Sequence, residues 1–127
     1  MKGRYVAVIG CGIWGKNVVR NFYNLNALHT VCDLDDENRK NLKQLYPDVN
    51  FTADSNEVLN NPEIKAVAVV TPSHTHYKIV KKAIESGKHV YVEKPISTVA
   101  AEAKALSDLA DKNHIVLMVG HLLMYLL

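Results

Sequence analysis

Tyr5-Val6-Ala7-Val8-Ile9-Gly10-Cys11-Gly12-Ile13-Trp14-Gly15-Lys16-Asn17 is the stretch that decides the fold. Its first five residues are a continuous apolar run of strand length. A run without polar alternation is expected of a strand buried on both faces of a parallel sheet. Gly10 ends the run, and beyond the glycines Val18, Phe22 and Leu25 recur at i, i+4 and i+7, one face of a helix. The glycines therefore spell G-x-G-x-x-G between a strand and a helix. In that setting the first permits a tight turn and the second lets a pyrophosphate approach the backbone. The third lets helix pack on strand, while helix N–H groups and the helix dipole face the phosphates.

The same residues, Gly10 through Lys16, also satisfy G-x-x-x-x-G-K, the opening of a nucleoside-triphosphate loop. That motif needs Ser or Thr next, to ligate magnesium. Position 17 is Asn, and the reading fails there. Asp33 favours the dinucleotide instead. It closes the second strand, Leu28-His29-Thr30-Val31-Cys32, about 20 residues on, where a carboxylate would accept hydrogen bonds from an adenosine ribose. The bland alternative is a cap or solvated strand end, since Asp35 and Asp36 follow. A carboxylate repels a 2′-phosphate and Leu34 beside it supplies no positive charge, so NAD is expected over NADP.

Working outward, strands and helices alternate. Residues 36–46 carry Leu42, Leu45 and Tyr46 as an apolar seam, and Pro47 stops that helix. Asp54-Ser55-Asn56-Glu57 has capping-box spacing and opens a short helix to about Asn60. Ala66–Val70 is a core strand broken by Thr71-Pro72, and Ser73–Ser86 is a helix with Ile79, Val80 and Ala83 inward, stopped by Gly87. His89–Val92 is a strand broken by Lys94-Pro95. A long helix then presents Val99, Ala103, Leu106 and Leu109 or Ala110, and Ile115–Val119 is a last strand ending at Gly120. Short connections between alternating elements imply an α/β fold, a doubly wound parallel sheet with ligands bound outside the C-terminal strand ends.

Composition sets the outer bounds. The 127 residues are 48% hydrophobic and 22% charged, with formal net charge +2, which suits one globular domain and argues against a nucleic-acid binder. No apolar run approaches the ~20 residues of a membrane span, and the N-terminus shows no secretory apolar region. Two cysteines, Cys11 and Cys32, make no disulfide framework, so a cytoplasmic setting is expected. They are expected to pack as small apolar residues, near enough on one sheet edge to oxidise in vitro. Asn50-Phe51-Thr52 matches a glycosylation sequon by chance.

Chemistry-bearing residues follow the later strands. In Thr71-Pro72-Ser73-His74-Thr75-His76, the histidines could ligate a metal, Ser73 could cap the helix, or the loop could back a nicotinamide ribose. Cofactor contact ranks first, because nothing nearby completes a tetrahedral ligand set. Glu93-Lys94-Pro95 holds a lysine at a strand end. It is either an ordinary surface lysine or an ammonium that stabilises a developing alkoxide or assists a base. Trp14 could cover the cofactor or pack in the core. His29, His89 and His114 precede or begin strands, away from the site, and receive no role.

Taken together, Gly10 to Gly15, Asp33, Thr71 to His76, Gly87 through Pro95 and Gly120-His121 resemble the Gfo/Idh/MocA oxidoreductases, relatives of glucose-fructose oxidoreductase and inositol dehydrogenase. The resemblance implies a Rossmann-type dinucleotide-binding domain. Gly10, Gly12 and Gly15, with Ile13 and Trp14, would take the pyrophosphate, and Asp33 with Leu34 the adenosine ribose. Thr71, Pro72, His74 and His76 would lie on the nicotinamide side. Glu93, Lys94 and Pro95 would flank the nicotinamide ribose, with Lys94 also catalytic toward substrate and the peptide before Pro95 a candidate for the cis form. The implied reaction is hydride transfer between nicotinamide C4 and a carbinol carbon of a sugar, sugar nucleotide or cyclitol. The family's catalytic His and Asp belong to a C-terminal substrate domain. Residues 1–120 are thus expected to be the cofactor domain and 121–127 the start of a helix toward the second. Expected partners are a small sugar or polyol and further copies of the same protein, with no nucleic acid, membrane or metal. The alternative is a stand-alone NAD-binding sensor or regulatory module without catalysis.

Overall fold

A computed structural model of the chain describes residues 3–120, apart from the side chains of Ile13 and Trp14. Six parallel strands form one sheet: β1 (Val6–Ile9), β2 (Leu28–Cys32), β3 (Asn50–Thr52), β4 (Ala66–Val69), β5 (His89–Glu93) and β6 (Leu117–Gly120). Their spatial order is β3-β2-β1-β4-β5-β6. Helices α1 (Ile13–Asn24), α2 (Asp36–Leu45), α3 (Ser55–Asn60), α4 (His76–Glu85) and α5 (Ala100–Lys112) connect them. The strand order runs outward in opposite directions from β1 and β4, so a crevice opens between the loops that leave these two strands.

Two apolar layers hold the sheet. One face packs Ile9, Val67, Val69 and Val92 against Val58 and Leu59 of α3, Val80 and Ile84 of α4 and Leu106 of α5. The other packs Val8, Leu28, Val31 and Ala68 against Val18 and Val19 of α1 and Leu42 of α2. Alternation along each strand sends successive side chains to opposite layers, which is why β1 and β4 read as unbroken apolar runs. Leu28, Val8 and Val19 are fully buried. Each such side chain contributes about 1.5–3 kcal/mol over its exposed state.

Most predicted elements stand where the spacing puts them, and the departures have local causes. β3 is missed by sequence reasoning because only Phe51 of its three residues is apolar; the supposed sequon is this strand. β6 starts at Leu117 and not at Ile115, since the Val116 N–H donates to the His89 ring at 3.0 Å before the ladder begins. Residues 73–75 form a 3₁₀ turn, so α4 starts at His76 and Ser73 caps nothing with its side chain. Val99 is the N-cap of α5 and half exposed, not part of its inward face. Asp54 caps α3 through the Asn56 N–H, but Glu57 accepts from the Thr52 hydroxyl, so the box does not close. Gly87 follows α4 with φ +79°, as expected of a helix-terminating glycine. Residues 121–127 lie outside the described residues.

The two cysteines also depart from expectation. Cys11 belongs to the α1–α2 layer and Cys32 to the opposite layer, so the sheet separates them and they are not placed to pair. Burial is the main reason that both thiols are pushed up, Cys32 to about 11. A thiol that stays protonated is a poor nucleophile.

Candidate cofactor site

Gly10 carries φ +91°, and its N–H donates to Cys32 O at 2.8 Å, which turns the chain out of β1. A Cβ at Gly10 would lie 2.9 Å from Thr71 Cγ2 and 3.0 Å from the Thr71 backbone nitrogen. Position 10 is therefore closed to any side chain on both conformational and steric grounds. At Gly15 a Cβ would sit 2.7 Å from the Gly10 carbonyl oxygen, so α1 packs against the loop at a distance only glycine allows. Gly12 meets nothing within 4 Å; its bare backbone faces the cleft. The tight turn at Gly10 and the close packing at Gly15 are those read from the motif, and Gly12 is left open. The strain-free open face at Gly12, beneath the N-terminus of a twelve-residue helix, fits a pyrophosphate.

The cleft encloses about 600 Å³, within the ordinary range for small-molecule sites. Of the predicted residues, Gly10, Gly12, Asp33, Leu34, Thr71 and Pro72 line it together. Sequence reasoning missed Cys11, Asp35, Asn38, Ala53, Ser55 and Ile79, which also line it. Ala53 went unseen with β3, the strand that delivers it, and Ser55 was read only as the start of α3. Asn38 sits in the first turn of α2, where nothing in the local pattern distinguishes it.

Asp33 is tightly held. Its Oδ2 accepts from the Cys11 N–H at 3.0 Å, the Cys11 thiol and the Asn38 amide at 3.3 Å. Its Oδ1 accepts from the Asp35 N–H at 2.8 Å. Burial raises the carboxyl's pKa, but the thiol, the two backbone N–H groups and Asn38 outweigh it and hold the group below its ordinary value. It is thus a fixed anion. A carboxylate offers about four lone-pair sites. Three donors crowd Oδ2 and one occupies Oδ1, so Oδ1 keeps room for a ligand hydroxyl. The guanidinium of Arg39 is committed to the Asp33 carbonyl at 2.7 Å and to Asp36 at 2.9 Å, and Lys40 also pairs with Asp36. Leu34 is 88% exposed beside the carboxylate.

The remaining predicted residues are placed differently. Ile13 and Trp14 open α1, with side chains outside the described set. His74 lines a separate groove with Lys78 and Lys82. Glu93 ends β5 and exposed Lys94 follows it on the same sheet edge; the Lys94–Pro95 peptide is cis, and the Lys94 N–H donates to Gly120 O at 2.9 Å. His76 does not present a free ring to the cleft. It is 1% exposed, with Nδ1 at 2.7 Å from Pro95 O and Nε2 at 2.8 Å from Thr71 O. Because both ring nitrogens face carbonyls, His76 is unavailable to join His74 as a metal ligand, and no cluster of three or more potential ligands occurs among the described residues. His29 is buried at the far end of β2, its ring bridging Thr30 and Glu63.

The family model described as the oxidoreductase family with an NAD-binding Rossmann fold, Gfo/Idh/MocA, matches residues 4–121. The scyllo-inositol 2-dehydrogenase (NADP(+)) IolW of Bacillus subtilis is 29% identical over 91% of the chain and 32% of its own length. The UDP-N-acetylglucosamine 3-dehydrogenase of Acidithiobacillus ferrooxidans is 30% identical over 91% of the chain and 36% of its own length. Among solved structures, an NAD-binding protein from Listeria innocua superposes with a TM-score of 0.84 at 27% identity, over 93% of this chain and 35% of that one. The chain thus spans about a third of the length of these relatives. No described helix is long and apolar enough to cross a membrane. Nearly the whole sequence, its sheet order and its glycine cleft agree: the chain belongs to the Gfo/Idh/MocA oxidoreductase family, as its NAD(P)-binding Rossmann domain.

Proposed function

We propose that this chain is the cofactor half of an NAD-dependent dehydrogenase that acts on a hydroxyl-bearing carbon of a sugar, sugar nucleotide or cyclitol. The observation that carries the reading is Asp33: a carboxylate anchored to the glycine loop through Cys11, with an acceptor position open on Oδ1 and Leu34 beside it. A 2′-phosphate placed there would meet fixed negative charge, and Arg39, bonded to the Asp33 carbonyl and paired with Asp36, is already engaged. NAD is favoured over NADP on that ground, although one of the relatives is named for NADP.

Gly10, Gly12 and Gly15 shape the pyrophosphate seat, with Ile13 and Trp14 at its helical rim. Asp33 takes the adenosine ribose and Leu34 covers the adenine edge. Thr71 and Pro72 bound the nicotinamide side, with His74 peripheral to it. Bound NAD supplies hydride exchange at its nicotinamide C4. Glu93 flanks the nicotinamide ribose, and Lys94, exposed next to it before Pro95, holds a proton at Nζ where it can stabilise a substrate alkoxide or pass that proton to a base. Residues 1–120 form the cofactor domain, and 121–127 lead toward a substrate domain that supplies the remaining acid–base groups. The complete protein acts as a homo-oligomer in a reducing, cytoplasmic setting, in keeping with two buried free thiols.

The test is NAD-dependent turnover of cyclitols, hexoses and UDP-sugars by the complete protein, with and without Lys94→Ala. The proposal expects oxidation of at least one class, turnover slowed by roughly two orders of magnitude or more in the variant, and NAD affinity changed less than about threefold. Turnover unchanged by Lys94→Ala would remove the lysine from the chemistry. NAD binding without turnover of any class would favour a sensor module.

A further inference from the structure

We propose that His76 is a positioning residue: a buried imidazole clamp whose single neutral-form N–H sits on Nδ1 and is donated to the Pro95 carbonyl, fixing Lys94 relative to the Thr71–Pro72 wall of the cleft. The inference deepens the functional reading above and rests on it for the role of Lys94. The clamp itself rests on geometry alone.

His76 is the first residue of α4, immediately after the 3₁₀ turn Ser73–Thr75. That turn is internally tied. The Thr75 hydroxyl lies 2.6 Å from both the Thr71 hydroxyl and the Pro72 carbonyl, and the Thr75 N–H donates to Pro72 O at 2.9 Å. The Thr71–His76 segment is therefore one rigid unit that also contributes Thr71 and Pro72 to the cleft wall. From it the imidazole reaches across to a loop from a different strand. Nδ1 lies 2.7 Å from Pro95 O, and Nε2 returns to Thr71 O at 2.8 Å.

The loop after β5 is gripped at two points. The Lys94 N–H donates to Gly120 O of β6 at 2.9 Å, and the Pro95 carbonyl receives His76 from the opposite side. Lys94 sits between these attachments with its side chain exposed. Two backbone anchors either side of one residue fix where its side chain begins, which matters when an ammonium must reach a reacting oxygen to within a fraction of an ångström. Since the ring is 1% exposed, water does not replace the bond to the Pro95 carbonyl.

The chemistry of substitution separates this role from a merely structural one. In Asn the amide nitrogen hangs from Cγ, as Nδ1 does in His. In Gln it lies one bond farther out, nearer the place of Nε2. His76→Asn therefore keeps a donor toward Pro95, and His76→Gln places its donor toward Thr71 instead. Amide hydrogen exchange over residues 93–98 of the full 127-residue chain should stay close to wild type in His76→Asn and quicken tenfold or more in His76→Gln. In the complete protein, turnover should follow the same order, within threefold for Asn and down tenfold or more for Gln, with the KM for NAD little changed in both. Equal behaviour of the two variants, or exchange at 93–98 unmoved by either, overturns the clamp. If His76→Gln does not fold, the wild type decides. A slowly exchanging Nδ1 proton with NMR contacts to the Pro95–Ile96 segment supports the clamp, and an Nδ1 without a proton refutes it. Exchange is read without cofactor, so a failure of NAD binding would discredit the functional reading and leave this result standing.

Discussion

Replacing Asp33 by Asn probes the site at the atom on which cofactor choice turns. The substitution removes the negative charge and exchanges one acceptor oxygen for an NH2 group that only donates. In the native site Oδ2 receives the Cys11 N–H, the Cys11 thiol and Asn38, while Oδ1 receives Asp35 and keeps the open acceptor position proposed for the ribose. The amide can place oxygen on one side only. Either the glycine-loop donors or the ribose hydroxyl loses its partner. A hydrogen bond to a charged acceptor is worth about 1.5–3 kcal/mol. NAD affinity measured by calorimetry should therefore fall roughly 10- to 150-fold. NADP affinity should fall less or rise, because the charge opposing a 2′-phosphate is gone. The same variant has a pH signature. The folded-state carboxyl lies below its ordinary 3.8, so its stabilising contribution is complete above that value and is lost as pH falls through the lower folded value. The stability gap between wild type and Asp33→Asn, from urea unfolding, should be full at about pH 6 and shrink below about pH 4. An NAD affinity unchanged in a folded Asp33→Asn protein would refute the ribose assignment. A gap that does not narrow in acid would refute the anchored-anion description.

Two further outcomes follow from the same geometry. Gly15→Ala puts a methyl group 2.7 Å from the Gly10 carbonyl oxygen, backbone against backbone, and should cost about 1–3 kcal/mol of folding stability by urea titration while weakening NAD; a neutral result would mean that α1 can back away from the loop. Asp33→Ser combined with Leu34→Arg replaces anion and apolar neighbour by hydroxyl and guanidinium, and should turn the preference to NADP by tenfold or more in competitive binding. Continued preference for NAD would place its origin elsewhere in the cleft.

How much of this was legible in the sequence depends on whether the cause is local. The apolar runs of β1 and β4 announce themselves because each strand is covered on both faces. The glycine motif is equally local, since turn, open approach and close packing each exclude a side chain at a fixed spacing. β3 was illegible because three residues with one apolar side chain hold their place through pairing with β2, a tertiary cause. His76 shows the same limit at the site. Its position after Thr-Pro suggests a cofactor contact, yet what fixes its role is the Pro95 carbonyl delivered from another strand, which no spacing reveals. The thiol of Cys11 on Asp33 likewise arises only when β1 and β2 lie side by side.

Calorimetric titration of the wild-type chain with NAD and with NADP, at neutral pH and matched salt, decides whether this cleft is an NAD site. One site per chain is expected, with NAD bound at least tenfold more tightly than NADP. No binding of either nucleotide by the folded chain, or tighter binding of NADP, would contradict the assignment.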